Sequence, residues 1–102
     1  AGSVDHTIHV LPELDNALIK ALARAFRWDR MLRSGEAATI AELAEREKIA
    51  PSYMTRVLRL TLLAPDIVEA ILDGRHGPEV RLARVLEPFP LTWQHQALHF
   101  SL

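Results

Sequence analysis

The 102-residue sequence contains no cysteine, which excludes disulfides and thiolate metal sites and fits a reducing cytoplasm. It has only four glycines, and none of them forms a glycine-rich phosphate-binding loop. No apolar run approaches the ~18 residues needed to cross a bilayer, and no signal peptide is visible. We therefore expect a cytoplasmic protein with neither a membrane span nor a disulfide framework.

Groups that carry catalysis are also scarce. The sequence has no nucleophile elbow and no pair of carboxylates within an apolar cluster. Its densest acidic group, Glu42, Glu45 and Glu47, fits a solvated helix face. His95 and His99 have the i, i+4 spacing that can hold a metal ion, but no third ligand accompanies them. We predict no catalytic residues, no metal, no cofactor and no small-molecule substrate, and hence not an enzyme.

What the sequence does contain is apolar residues at helical spacing, and 49% of its residues are hydrophobic. This pattern predicts an all-α fold, a small multi-helix domain of about six helices. At this length the chain forms one domain. We expect that domain to span residues 14–102. Residues 1–13 are expected to be a tag remnant, because Ala1-Gly2-Ser3 lacks a Met, followed by an N-terminal arm; a fragment boundary is the other explanation.

The stretch from Thr39 to Leu60 has the spacing of a helix-turn-helix. Thr39 and Glu42 form a capping box, in which each side chain satisfies a free backbone N–H group, so we predict that a helix begins at Ile40. The predicted buried face of this helix consists of Ile40, Leu43 and Ala44. The turn is expected at residues 48–50, with Ile49 between the two helices. Lys48 stands where such turns often have glycine, which enters positive φ most easily.

Pro51 is suited to the first position of the second helix. Its predicted inward stripe comprises Met54, Val57, Leu58 and Thr61. The outward set consists of hydroxyls, an aromatic ring and guanidinium groups: Ser52, Tyr53, Thr55, Arg56 and Arg59. Such groups bond phosphates and base edges in a major groove. No acidic residue occurs between Lys48 and Pro65, as a surface facing a polyanion requires.

A long helix is predicted before this unit, from about Leu14 to Ser34, with Gly35 ending it. Its inward face is predicted to comprise Leu18, Leu22, Ala25, Phe26 and Leu32. Four arginines recur on its surface, at positions 24, 27, 30 and 33. Two interpretations remain open for them: contact with a DNA backbone, or solvated side chains that pair with acids such as Asp29. Trp28 is predicted to pack in the core rather than to stack on bases.

Three further helices are predicted after the second helix of the unit. The first opens at Pro65 and is capped by Gly74, with Ile67, Val68, Ile71 and Leu72 as its apolar face. Another short helix is predicted from Val80, Leu82, Ala83, Val85 and Leu86, and it carries Arg81 and Arg84. Pro88 and Pro90 end it. The last helix is expected within Leu91–Phe100, with Trp93 and Leu98 facing inward.

Most of the chain resembles a module from the C-terminal part of a group of bacterial serine site-specific recombinases. The matching stretches are ALARAFRWDRMLRSGE (Ala21 to Glu36), IAELAEREKIAPSYMTRVLRLTLLAPDIVEAILDGR (Ile40 to Arg75) and LEPFPLTW (Leu86 to Trp93). The most specific string is LAPDIVEAILDG (Leu63 to Gly74). The helix-turn-helix and the following helices also look like the central DNA-binding domain of ParB and KorB partition proteins. Lys48 and the shortened end of the chain depart from the recombinase pattern.

Both resemblances imply a bacterial, nucleoid-associated module that binds double-stranded DNA sequence-specifically. Carried over by position, the residues that the resemblance implies as DNA readers are Ser52, Tyr53, Thr55, Arg56 and Arg59, with Pro51 starting the helix. We expect Thr39 and Lys48 to belong to the DNA-binding set as well. One such module reads few base pairs, so we expect a homodimer or a linked second domain, or else weak binding as a monomer. Nothing in the chain resembles a recombinase catalytic domain. A free-standing repressor or a ParB-like partition protein remains an alternative, and a protein–protein adaptor is an alternative of another class.

Overall fold

A computed structural model describes residues 15–100 of the protein. This part of the chain is all-helical, as predicted, with six α-helices and one 3₁₀ helix. The α-helices are α1 (Asn16–Ser34), α2 (Ile40–Glu47), α3 (Pro51–Leu58), α4 (Pro65–Leu72), α5 (Leu82–Val85) and α6 (Trp93–His99). The 3₁₀ helix, Arg59–Leu62, follows α3 directly. The expected arm and tag remnant lie outside the described residues.

The helix-turn-helix packs against α1, which contacts both α3 and the 3₁₀ helix. Asp15 caps it by accepting a hydrogen bond from the Leu18 N–H at 3.1 Å, so the helix begins slightly later than predicted. Gly35 ends it in the left-handed region, at φ 85°, as expected. The buried stripe comprises Leu18, Ala21, Leu22, Ala25 and Trp28.

The two aromatic residues of α1, Phe26 and Trp28, differ in burial. Trp28 is buried, as predicted. Phe26 is 46% exposed, so its inward placement was wrong. The stripe from Leu18 to Trp28 follows the i, i+3, i+4 and i+7 spacing of one helix face, and Phe26 lies beyond its edge. The Phe26 ring of α1 is therefore part of the protein's surface.

The capping box at the start of α2 forms largely as predicted. The Thr39 hydroxyl accepts a hydrogen bond from the Glu42 N–H at 3.1 Å. The Glu42 carboxylate accepts from the Ala38 N–H at 3.0 Å, one residue before the N–H of the standard box. Leu43 and Ala44 are buried on the inner face, and Ile40 packs against the core. The local sequence thus fixes where α2 begins.

Removing this cap should measurably weaken the domain. Replacing Thr39 by Ala leaves the Glu42 N–H without its acceptor, and we expect the free energy of unfolding to fall by about 1 kcal/mol. Urea unfolding followed by circular dichroism measures this loss. Thr39→Ser, which keeps the hydroxyl, is the control and should stay close to the parent. An equal loss in both variants would show that the hydroxyl bond is not the cause.

Helix α4 begins at Pro65 and buries Ile67 and Ile71. Its end is closed by Gly74, at φ 71°. The Gly74 N–H donates to the Ile71 carbonyl at 3.2 Å, and the Arg75 N–H donates to the Ala70 carbonyl at 2.7 Å, which is the Schellman arrangement. The predicted cap is confirmed. Leu72 is exposed and not part of the buried face, because the stripe through Ile67 and Ile71 leaves it at the edge.

The last helix, α6, exposes the two residues that were predicted to face inward. Trp93 is 59% exposed and Leu98 is 77% exposed. The buried positions are instead Gln96 and Phe100, and the Phe100 ring packs beside that of Phe89 with 6.1 Å between centroids. The inward prediction for Trp93 and Leu98 was therefore wrong, and a polar side chain determines which face of α6 is buried.

Gln96 faces inward because its amide completes the hydrogen bonding of the backbone between the 3₁₀ helix and α4. The Ala64 N–H donates to Gln96 Oε1 at 2.7 Å, and Gln96 Nε2 donates to the Leu62 carbonyl at 2.9 Å. A buried amide is tolerated when both of its ends are bonded in this way. The side chain holds α6 against the segment that follows the helix-turn-helix.

Candidate nucleic-acid interface

The turn between α2 and α3 is a Schellman motif built on lysine. Lys48 lies in the left-handed region at φ 58°, where glycine is the usual residue. Its N–H donates to the Glu45 carbonyl at 3.2 Å, and the Ile49 N–H donates to the Ala44 carbonyl at 2.9 Å. Ile49 is half-buried and packs against the core. These bonds fix the angle at which α3 leaves α2.

The positive φ of Lys48 makes one substitution stabilising. Lys48→Gly removes the clash between Cβ and the backbone, and we expect the free energy of unfolding to rise by about 0.5–1 kcal/mol. Thermal unfolding measures the gain. Lys48→Ala, which keeps a Cβ, is the control and should give no gain. A stability of Lys48→Gly at or below that of Lys48→Ala would contradict the account of the turn.

Helix α3 starts with Pro51 at its first position, as predicted, and Ala50 as its N-cap. Its inward residues Met54 and Val57 are buried. The helix is shorter than expected, because it ends at Leu58 and the chain continues as the 3₁₀ helix. The element available for a groove is therefore two turns of α-helix, Pro51–Leu58.

Five residues were predicted to point outward from the second helix. Three of them are exposed on α3: Ser52, Thr55 and Arg56. Positions 52, 55 and 56 are neighbours on one helix face, at the i, i+3 and i+4 spacing. The Thr55 hydroxyl donates to the Pro51 carbonyl at 2.9 Å, so its oxygen keeps the capacity to accept a bond. The Arg56 guanidinium has no ion-pair or hydrogen-bond partner within residues 15–100 and is free to donate.

The other two predicted contact residues are half-buried, so their outward placement was only partly correct. The Tyr53 side chain packs against the core. Arg59 lies in the 3₁₀ helix, and its guanidinium carbon is 5.6 Å from the centroid of the Phe89 ring, a cation–π arrangement. Phe89 is a residue that the sequence interpretation did not connect with the helix-turn-helix. Arg56 is thus the exposed arginine of α3, and Arg59 is shielded on one side.

The remaining predicted contact residues flank α3. Thr39 is exposed, although its hydroxyl oxygen already accepts the capping bond. Lys48 and Pro51 are exposed at the turn and at the helix start. The structure therefore brings Lys48, Pro51, Ser52, Thr55 and Arg56 together on the surface of the turn and of α3, with Arg56 in the last turn of that helix. Thr39 is at the start of α2, separated from them by the length of that helix.

Arginines neutralise two carboxylates of α2, one at each end of the helix. Glu47, at the end of α2, pairs with Arg27 of α1 and also accepts a hydrogen bond from Trp28 Nε1 at 3.1 Å. Glu42 pairs with Arg46 at 3.1 Å. Glu45 forms no ion pair among residues 15–100. The negative charge closest in sequence to the turn is therefore compensated, which lowers repulsion of a polyanion at α3.

The four arginines of α1 divide between the two interpretations left open. Arg27 pairs with Glu47, and Arg33 pairs with Asp29 at 2.8 Å. Arg24 and Arg30 are exposed and form no ion pair within the described residues. Two of the four thus have the acidic partners that a solvated helix face predicts. Within residues 15–100, Arg24 and Arg30 are unpaired cations on the surface of α1.

No protein-family model, curated protein or solved structure matches this chain. Within residues 15–100, no helix is long and apolar enough to cross a membrane. The same part of the chain has no group of three or more His, Cys, Asp or Glu side chains that could hold a metal ion.

Proposed function

We propose that the protein binds double-stranded DNA sequence-specifically by placing α3 in a major groove. The observation that carries this proposal is the exposed face of α3, where Ser52, Thr55 and Arg56 stand together on a helix positioned by a tight turn. In helix-turn-helix proteins the residues near the start of the second helix contact base edges. Arg56 has the bidentate donor geometry that recognises guanine or a phosphate.

The charge distribution supports the same proposal. The formal net charge of the whole chain is −1, yet residues 48–65 contain three basic residues and no acidic one. A helix facing phosphates needs this local excess of positive charge more than it needs a basic protein. Lys48 and the hydroxyl of Ser52 would fix the helix on the backbone, while Arg56 contacts a base edge or a phosphate.

The biological setting that we propose is the DNA-binding part of a site-specific recombinase, because of the resemblance of Leu63 to Gly74 and its flanking stretches. The alternatives within DNA binding are a free-standing repressor and a ParB-like partition protein. In each of these settings a second reading unit raises affinity, since one helix covers only a few base pairs. A homodimer on a two-fold symmetric site is the simplest such arrangement.

The direct test is fluorescence anisotropy of the protein with a randomised pool of labelled duplexes, at low and at physiological salt. The proposal predicts binding that weakens steeply as salt rises, because each neutralised phosphate releases counterions. Repeated selection and sequencing of the retained duplexes should then yield a preferred site. Binding to the selected site should exceed binding to scrambled duplexes by a factor of roughly 10³ or more.

Absence of duplex binding at low salt would overturn the proposal. So would salt-sensitive binding from which selection recovers no preferred sequence, since that would leave only non-specific electrostatic attraction. In either case the protein–protein adaptor becomes the function to pursue. Its prediction is different, because binding to a protein partner should change little when Arg56 is removed.

A further inference from the structure

An apolar groove lies on the surface formed by α1, the 3₁₀ helix, α4 and the start of α6. Two adjoining hollows of about 760 and 560 Å³ share Pro65, Leu91 and Trp93 as lining residues. The second hollow is also lined by Phe26 and Leu62. Each hollow is large enough to receive bulky side chains of a bound molecule.

The groove is lined by large apolar side chains that are exposed to water, which is energetically unfavourable. Phe26, Leu62, Leu91 and Trp93 are all exposed large hydrophobic residues, and Leu91 is 60% exposed. They come from three separate parts of the chain but meet at one place. A contiguous exposed apolar patch of this kind marks an interaction site more often than scattered apolar residues do.

The charges that line the groove are all negative. Asp66 lines the first hollow and Glu69 lines the second, and no basic residue lines either one among residues 15–100. Neither carboxylate forms an ion pair with the described part of the chain. Asp66 lies in the first turn of α4, where it also complements the helix dipole, but Glu69 lies beyond that turn and has no such role.

This combination excludes several occupants. Acidic residues at the rim repel polyanions, which disfavours nucleic acid and anionic lipid surfaces. A second copy of the chain, related by two-fold symmetry through this groove, would bring the two acidic rims together. The described residues contain no strand edge that an extended peptide could join. An apolar helix with basic flanks satisfies both the groove and its charges.

We infer that the groove is a docking site for an amphipathic helix of a partner protein. The apolar stripe of that helix packs against Phe26, Leu62, Leu91 and Trp93, and its Lys or Arg residues pair with Asp66 and Glu69. This mode of recognition uses side chains at i, i+3, i+4 and i+7 as the anchors. The inference is independent of DNA binding, since it uses neither α2 nor α3.

The test uses two synthetic helical peptides of roughly 18 residues with the same leucine stripe. One carries lysine at every polar position, and the other carries glutamate. Trp93 provides the signal, because it is exposed while Trp28 is buried, so a peptide that covers the groove shifts the emission of Trp93 toward the blue. Labelled peptides give the affinity independently by anisotropy.

The lysine peptide should bind at least tenfold more tightly than the glutamate peptide. Leu91→Ala should weaken its binding about tenfold, because truncating a central apolar contact removes a large share of the interaction. The matched control is Leu98→Ala, since Leu98 is an exposed leucine that lines neither hollow, and it should bind as the parent does. The variant with both Asp66→Asn and Glu69→Gln should lose most of the preference for the lysine peptide.

Several results would overturn the inference. These are equal binding of the two peptides, no binding of the lysine peptide, or equal effects of Leu91→Ala and Leu98→Ala. Sedimentation of the protein alone tests for the other possible occupant of the groove, a second copy of the chain. A dimer that Leu91→Ala dissociates and Leu98→Ala does not would assign the groove to a second copy of the chain. Far-UV circular dichroism of each variant establishes that the fold is intact.

Discussion

Replacing Arg56 by Ala should weaken binding to the selected duplex site by about 1–3 kcal/mol, or roughly 5- to 150-fold in affinity. The guanidinium is exposed on α3 and unpaired within residues 15–100, so nothing in the described fold competes with DNA for it. Its removal should leave stability unchanged, because it makes no contact that supports the core. Anisotropy with the selected and scrambled duplexes measures the effect.

The form of the loss distinguishes a base contact from a phosphate contact. A base contact predicts that Arg56→Ala relaxes the sequence preference at one position of the site. A phosphate contact predicts a uniform loss and a salt dependence reduced by about one counterion. Arg75→Ala is the matched control, since Arg75 is an exposed arginine that pairs with Asp73 beyond α4. Equal losses in the two variants would contradict a specific role for Arg56.

Replacing Gln96 by Leu should lower the free energy of unfolding by about 2–4 kcal/mol. The amide satisfies the Ala64 N–H and the Leu62 carbonyl, and leucine of similar size would leave both without a partner. A buried polar group stripped of its partner keeps the desolvation penalty that the hydrogen bond had offset. The melting temperature should fall by roughly 10–20 °C.

The control for this substitution is Gln94→Leu, which makes the same chemical change on the exposed side of α6. It should change stability by less than about 0.5 kcal/mol. Differential scanning calorimetry of the two variants at one protein concentration separates the effects. Similar melting temperatures for Gln96→Leu and Gln94→Leu would mean that the buried amide does not hold α6 in place.

Local backbone chemistry explains why much of the fold could be predicted from the sequence. Thr39 and Glu42 set the start of α2, and Pro51 sets the start of α3. Each of these residues lies within a few positions of the helix start that it determines. Gly35 and Gly74 end α1 and α4 for the same kind of reason, since both adopt positive φ. The short-range hydrogen bonds and steric limits involved do not depend on the rest of the chain.

The buried face of α6 could not be predicted, because it depends on distant partners. Gln96 bonds backbone groups 32 and 34 residues away, so no local pattern marks it as buried. Once its amide points inward, Trp93 and Leu98 lie on other faces of the same short helix. Apolar periodicity over seven residues leaves too few positions to decide between these orientations.

The exposed residues of the candidate interface could be predicted within the regular α-helix α3, but not in the 3₁₀ helix that follows it. Ser52, Thr55 and Arg56 follow the α-helical period and are exposed as predicted. Arg59 follows the end of α3, in a 3₁₀ helix with fewer residues per turn, which changes its direction. Its neighbour Phe89 is remote in sequence, so the cation–π contact left no local signal.

The central claim is that α3 meets DNA, and chemical-shift mapping tests it most directly. The backbone amides of ¹⁵N-labelled protein would be followed while the selected duplex is added. The account predicts that the largest changes occur from Lys48 to Arg56, with the amides around Leu91 and Trp93 unaffected. Changes centred on the apolar groove, or spread evenly over the surface with α3 unchanged, would contradict it.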